Sequence, residues 1–171
     1  EVIIKTLKIP VQHGIPFSVN NITGFPYETR ELAMETIELN RHIESHNQNL
    51  YAFVPFHGTP LRKTCEDLGL VSPATITRAY NDKPMLNQKQ YSIEQIEGLQ
   101  KCFVLYVKMP KSRWQDIERA EANTPEGNRI FAELKQEYLD KYATVAGDTK
   151  DDRIKHSADL EYGMEMPDPP N

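Results

Sequence analysis

The stretch from Leu50 to Phe56 (Leu-Tyr-Ala-Phe-Val-Pro-Phe) is apolar almost without interruption, and it is too short for an ordinary buried helix. An alternating strand hides one face. A strand apolar on both sides needs cover on both, which is the condition of a parallel sheet carrying helices. The preceding residues agree. Phe17-Ser-Val-Asn-Asn-Ile-Thr23 is rich in β-branched residues and ends at Gly24, so it reads as another strand. Between the two, Leu32, Thr36, Leu39 and Ile43 recur at helical spacing, and Thr29 is placed to cap the first turn. Glu31, Glu35 and Glu38 precede Arg41, the order that a helix dipole favours. The pattern predicts a helix over 29–45 and, with its flanking strands, one right-handed βαβ unit.

Two parallel strands cannot bury both faces of such a run by themselves. Everything downstream is patterned as helix, so the missing strands are expected upstream of Glu1. The chain opens on Glu1 rather than Met and enters Val2-Ile3-Ile4 at once, which strengthens the expectation that it is part of a longer polypeptide. Residues 2–13 carry Ile3, Ile4, Leu7, Ile9 and Val11, but Pro10 argues against an unbroken helix there. Pro60 to Leu68 reads as a short helix that Thr59 can cap and Gly69 ends, and residues 71–90 as a long excursion. Ser92 and Gln95 form a capping box at the start of a helix running to about Lys108. Ser112 is placed to cap a short helix containing Trp114 and Ile117. Thr124-Pro125-Glu126 opens a helix carrying Ile130, Phe131, Leu134 and Tyr138 and ending near Tyr142. From Gly147 the chain is rich in Asp, Lys and Pro, as disordered segments are. The expected division is βα units over 1–62, a helical region over 63–145 and a disordered tail over 146–171.

Bulk properties narrow the function. The net charge of −5 leaves no basic footprint, so nucleic acid and anionic membrane surfaces are not expected partners. No run approaches the ~18 apolar residues of a membrane helix. Cys65 and Cys102 are far apart and in no metal-type pair, which suits reduced thiols in a cytoplasmic protein. His42-Ile-Glu-Ser-His46 has histidines four apart but lacks the HExxH order, and reads as a solvated helix face; no metal site of the chain's own is expected. Tyr106, Trp114 and Tyr138 read as packing anchors rather than a base-stacking platform.

Ligands of α/β sheets and barrels bind at the C-terminal ends of the strands. Two segments lie there, Asn20 to Glu31 and Phe53 to Leu61; a third, Lys108 to Ser112, lies between helices. In the first, Gly24 removes a Cβ, so a planar ligand can approach the backbone, and Ile22 is expected on the same side of the strand. A β–α turn using Gly for geometry and Pro26 for rigidity explains the same residues. Glu28 stands at the mouth of the helix, able to bind a ligand or brace the loop. In the second segment His57 sits just past the strand, either touching substrate or cofactor or serving as a polar turn residue.

These residues carry a resemblance. Ile22-Thr-Gly-Phe-Pro-Tyr-Glu-Thr29, followed by Thr36-Ile-Glu-Leu-Asn-Arg41, resembles the fifth strand and helix of radical S-adenosylmethionine (SAM) proteins, many of which have Gly-Leu-Pro-Gly-Glu-Thr there. Here Phe25 and Tyr27 replace the commoner Leu and Gly. Phe53 to Leu61 resembles the sixth strand, in the Pro-aromatic-His-Gly-Thr-Pro-Leu form of members with an upstream cobalamin-binding domain. Tyr106-Val-Lys-Met-Pro-Lys-Ser112 resembles the region after the barrel in that subgroup. The likeness is closest over 15–62, looser over 90–142 and absent after about 145. It implies the C-terminal part of a partial six-stranded (β/α) TIM-type barrel followed by a mainly helical region. It also implies SAM as cofactor, a four-iron four-sulfur cluster on a CxxxCxxC loop, and radical chemistry on a small-molecule substrate, with cobalamin-dependent methyl transfer as one form. By position, Ile22 and Gly24 would lie near adenine, with Val54 and Pro55 contributing more weakly. Glu28 would orient the loop, and Asn20 and His57 would contact substrate or cofactor.

The departure is equally plain. No CxxxCxxC occurs in the 171 residues, so the cluster ligands, and any cobalamin domain, would lie outside this chain, in a missing N-terminal barrel portion of the same polypeptide. The chain alone is not expected to cleave SAM. The alternative is a non-catalytic helical interaction module with a vestigial βα unit. A barrel enzyme acting on a phosphate or sugar would want a Gly-rich phosphate loop, and none is present.

Overall fold

In the computed structural model of the chain, residues 2–79 and 83–142 are described. The expected disordered tail, 146–171, lies outside them. The fold is mixed α/β and mostly helical. Helix α1 (Val2–Gln12) leads into strand β1 (Ser18–Thr23), helix α2 (Arg30–Arg41), strand β2 (Asn47–Ala52), and helices α3 (Pro60–Asp67), α4 (Ile93–Lys108), α5 (Trp114–Glu121) and α6 (Pro125–Lys141).

The βαβ unit is present: β1 and β2 pair in parallel through α2, in a register that runs from Ser18 opposite Asn47 to Thr23 opposite Ala52. Its strand boundaries differ from expectation. The strand begins at Asn47, in what reads as a turn, and ends at Ala52, before most of the apolar run. The reason lies in the partner. Beyond Thr23, Gly24 turns away with φ +86°, so only Phe53 N–H still finds a β1 carbonyl, that of Thr23 (2.7 Å). Pro55 then has no N–H to offer. The two faces are also unequal. Thr23, Gln48 and Ala52 are buried on the side of α2 and α4, whereas Ser18, Asn20 and Ile22 are exposed on the other, beside half-buried Asn47, Asn49 and Tyr51. The expected burial on both faces is therefore replaced by one covered and one open face.

Other elements differ for local reasons. Helix α1 continues through Pro10 and closes in a Schellman arrangement: Ile15 N–H donates to Pro10 C=O (2.9 Å) and Gly14 N–H to Val11 C=O (3.1 Å), with Gly14 at φ +63°. Helix α2 stops at Arg41 rather than at residue 45, because the buried Gln48 amide donates to the Asn40 and Ile43 carbonyls at its end (2.9 and 3.1 Å). His42 and His46 consequently do not share a helix face. Ser112 caps nothing; a 3-10 turn over Lys111–Arg113 leads into α5 instead.

The expected caps of the other helices form. Ser92 Oγ accepts from Gln95 N–H (3.3 Å) while Gln95 Oε1 accepts from Ser92 N–H (2.9 Å). Thr29, Thr59 and Thr124 each accept from the backbone three residues on. The main core joins Ala33 and Ile37 of α2 and Ala52 of β2 to Ile96, Leu99, Phe103 and Tyr106 of α4, Ile117 of α5 and Ile130 and Leu134 of α6. A smaller cluster, Phe53, Cys65, Val71 and Leu86, lies under the β2–α3 connection. Tyr106 and Trp114 pack edge to face with ring centroids 5.4 Å apart.

Candidate functional site

The C-terminal ends of β1 and β2 carry two ordered connections. In the first, the Glu28 carboxylate folds back over its own loop. Its Oε2 accepts from the Gly24 N–H, from the Phe25 N–H (3.0 Å) and from the Thr23 hydroxyl (3.3 Å). Glu28 therefore braces the loop. Tyr27 occupies the left-handed region at φ +68°, the one non-glycine residue among those described to do so. Gln88, 61 and 63 residues away, holds the same loop by accepting from Tyr27 N–H (3.1 Å) and donating to Phe25 C=O (2.9 Å).

The structure separates Ile22 from Gly24. Ile22 is 48% exposed on the open face of the sheet. Gly24 is buried, and a Cβ there would lie 3.0 Å from the Ile96 side chain of α4. The expected shared side is thus corrected: the positive φ at Gly24 breaks the strand's alternation and turns that position toward the covered side. Its missing Cβ makes room for α4. Asn20 is exposed on the open face with Ile22, where its Oδ1 accepts from Asn49 Nδ2 (2.9 Å).

At the end of β2, Val54 is half-buried and its carbonyl accepts from Phe56 N–H (3.0 Å). Pro55 is buried, and its carbonyl takes the Arg62 Nη1 and the Thr77 hydroxyl, each at 3.2 Å. His57 is exposed and donates through Nε2 to Thr75 C=O (3.1 Å). The residues of the two connections are joined by the Phe25 and Phe53 rings, centroids 4.8 Å apart.

Three groups that organise this region lie outside the sequence reading. Arg62, 2% exposed, donates to Glu66 (2.6 Å) and to the carbonyls of Pro55, Ser72 (2.8 Å), Pro73 and Thr75 (3.0 Å), wiring the β2 end to the following excursion. Arg30 forms a bidentate pair with Glu121 (2.9 and 2.7 Å), and Tyr106 donates to the same carboxylate (2.6 Å). Burial, and then the Glu121 carboxylate, push the Tyr106 phenol well above its ordinary range. This cluster ties the start of α2 to the helical region. Tyr91, fully buried, shares a hydrogen bond with the Thr23 hydroxyl (3.1 Å), and burial pushes its pKa up to about 12. One local signal pointed to the two arginines: both sit in the first turn of a helix, where a cation opposes the dipole and needs another reason.

An adenosyl group needs apolar surface and open backbone. Ile22 on the open face fits that need; Gly24 and Pro55, turned inward and already occupied, do not. A cluster needs accessible thiolates. Cys65 and Cys102 are buried in different parts of the core, and burial raises both thiols, Cys102 to about 12. They do not fit a cluster. Among the described residues no group of three or more His, Cys, Asp or Glu is arranged to hold a metal ion, and no helix is long and apolar enough to cross a membrane. No family model, curated protein or solved structure matches the chain.

Proposed function

We propose that the chain contributes the last two strand–helix units of a radical SAM barrel and that the open face of β1 and β2, at its C-terminal end, receives the adenosyl group. The observation that carries this reading is the conformation of the loop after β1. Tyr27 stands in the left-handed region at the position where the resembling family commonly has Gly, and Glu28 orders the two backbone N–H groups that follow the strand. Neither property is needed for a generic β–α turn. The parallel pairing of β1 with β2, with one face buried on the side of α2 and α4 and the other exposed among the described residues, supports the same reading, since a barrel stave turns one face to the lumen.

In this reading Ile22 supplies apolar surface for adenine, Asn20 stands beside it, and Val54 lies at the end of the neighbouring strand. Gly24 and Pro55 act by shaping the loops, and Glu28 by bracing one of them. SAM, cleaved at a cluster held outside this chain, supplies a hydrogen-abstracting radical; the residues here bind and orient. The test is the coding sequence before Glu1. The proposal expects an in-frame CxxxCxxC within about 200 residues, the scale of the missing units of a (β/α) barrel. An in-frame start without that motif overturns it.

A second reading, a non-catalytic helical interaction module, draws support from the core, most of which α4, α5 and α6 supply. Binding of S-adenosylhomocysteine at Ile22 would exclude it.

A further inference from the structure

The β2–α3 connection and the excursion that follows run side by side. Thr77 donates its hydroxyl to Pro55 C=O (3.2 Å) and His57 donates to Thr75 C=O (3.1 Å), so Phe56 and Ile76 stand opposite each other between two pinned positions. Both side chains project: Phe56 is 56% exposed and Ile76 83%. Over the four residues 75–78 burial alternates, with Thr75 and Thr77 half-buried and Ile76 and Arg78 exposed, so Arg78 emerges on the same side as Ile76. The backbone beneath is held by Arg62 through the Pro55 and Thr75 carbonyls. A frayed loop exposes apolar residues by default; this one presents them on a hydrogen-bonded frame.

We infer that Phe56, Ile76 and Arg78 form a recognition site for a small molecule with an apolar body and an anionic head, the body lying over Phe56 and Ile76 and the head on the Arg78 guanidinium. Charge complementarity selects the head. The Arg and Lys nearest to Phe56 in sequence are engaged: Arg62 with Glu66 and the carbonyls, and Lys63 with Asp67 at 2.7 Å. Arg78 has no side-chain partner among the described residues. Position selects a small molecule, because the pair stands at the C-terminal end of β2, where ligands of parallel sheets enter. The inference rests on the proposed function only in treating this molecule as the substrate.

The test is a titration of the full, uniformly 15N-labelled chain followed by amide shifts. The probes are 4-phenylbutyrate, 3-phenylpropyl phosphate, neutral 4-phenylbutanol and, separately, 5′-deoxyadenosine. The expected result is that either anionic probe shifts Phe56, His57, Ile76 and Thr77 and binds at least fivefold tighter than the alcohol, the ratio of the two anions naming the head group. Arg78→Gln should abolish that fivefold preference, and Phe56→Ser with Ile76→Ser should weaken all three phenyl probes at least tenfold. Both changes are at exposed side chains, and an unchanged spectrum elsewhere verifies the fold. Equal binding of alcohol and acids, or shifts confined to other residues, overturns the inference. So does a concentration-dependent dimer that the double variant abolishes, because a second copy is then the occupant. Shifts at Ile22 with 5′-deoxyadenosine but none at Phe56 and Ile76 with the phenyl probes would overturn this site and leave the adenosyl reading standing.

Discussion

Replacing Glu28 by Ala removes the one carboxylate that organises the loop after β1. Its Oε2 accepts from the N–H groups of Gly24 and Phe25 and from the Thr23 hydroxyl. A hydrogen bond to a charged group contributes about 1.5–3 kcal/mol, and an orphaned buried donor costs about 1–3 kcal/mol. Gly24 is buried, so its N–H carries most of the penalty. Phe25 is half-buried and water replaces part of its bond, while Thr23 keeps Tyr91 at 3.1 Å. The sum is about 2–4 kcal/mol for Glu28→Ala and about 1 kcal/mol for Glu28→Gln, which keeps an acceptor but loses the charge. Against the ~5–15 kcal/mol of an ordinary domain, the Ala variant stays folded. Urea unfolding followed by far-ultraviolet circular dichroism reads the global loss, and amide exchange at Gly24 and Phe25 reads the local one. A loss of 2 kcal/mol corresponds to roughly 30-fold faster exchange where opening is local. A stability change below about 0.5 kcal/mol, with Gly24 exchange unaltered, would show that the Glu28 carboxylate does not hold the loop.

Three further outcomes follow from the same contacts. Arg30→Met strands the Glu121 carboxylate, whose side chain is 11% exposed, and should cost about 3–5 kcal/mol in urea unfolding; adding Glu121→Met should recover part of it, and a double variant no better than the single one refutes the pairing. Burial raises Tyr91 from 10.0 to about 12, so the unfolded chain loses that proton first, and stability should fall as pH rises from about 10 to about 12; Tyr91→Phe should flatten this part of the stability–pH curve, and an unchanged slope contradicts the burial. Tyr27→Gly relieves a left-handed side chain worth about 1–2 kcal/mol against about 0.5–1 kcal/mol of added chain freedom, so its melting temperature should hold or rise, whereas a marked fall would show that the Tyr27 side chain itself stabilises the loop.

What was legible in the sequence was local. Ser92 with Gln95, Thr124 with Gly127, Thr29 with Leu32 and Thr59 with Arg62 each bond within three residues, and helix starts there follow from neighbours alone. The order strand, helix, strand was legible from periodicity. The bounds of β2 were not, because they depend on where β1 ends: Asn47 to Asn49 are strand by virtue of Ser18 to Asn20, and no property of three polar residues announces that. Gln48 ending α2, Gln88 holding Tyr27 and Arg30 meeting Glu121 have partners 5, 61 and 91 residues away, set by packing rather than by spacing. The site reading divides the same way. Motif position named Ile22, Gly24 and Glu28 together, but only the backbone dihedral at Gly24 decides that Ile22 faces outward while Gly24 faces α4.

An S-adenosylhomocysteine titration of the full chain, read by amide and methyl shifts, tests the adenosyl site itself. An adenosyl group on the open face of the sheet should move Asn20, Ile22 and Val54 in a saturable way, and Ile22→Asp should abolish the response while leaving the core signals of Ile37 and Leu99 in place. Shifts absent from Ile22, or persisting unchanged in Ile22→Asp, would contradict it.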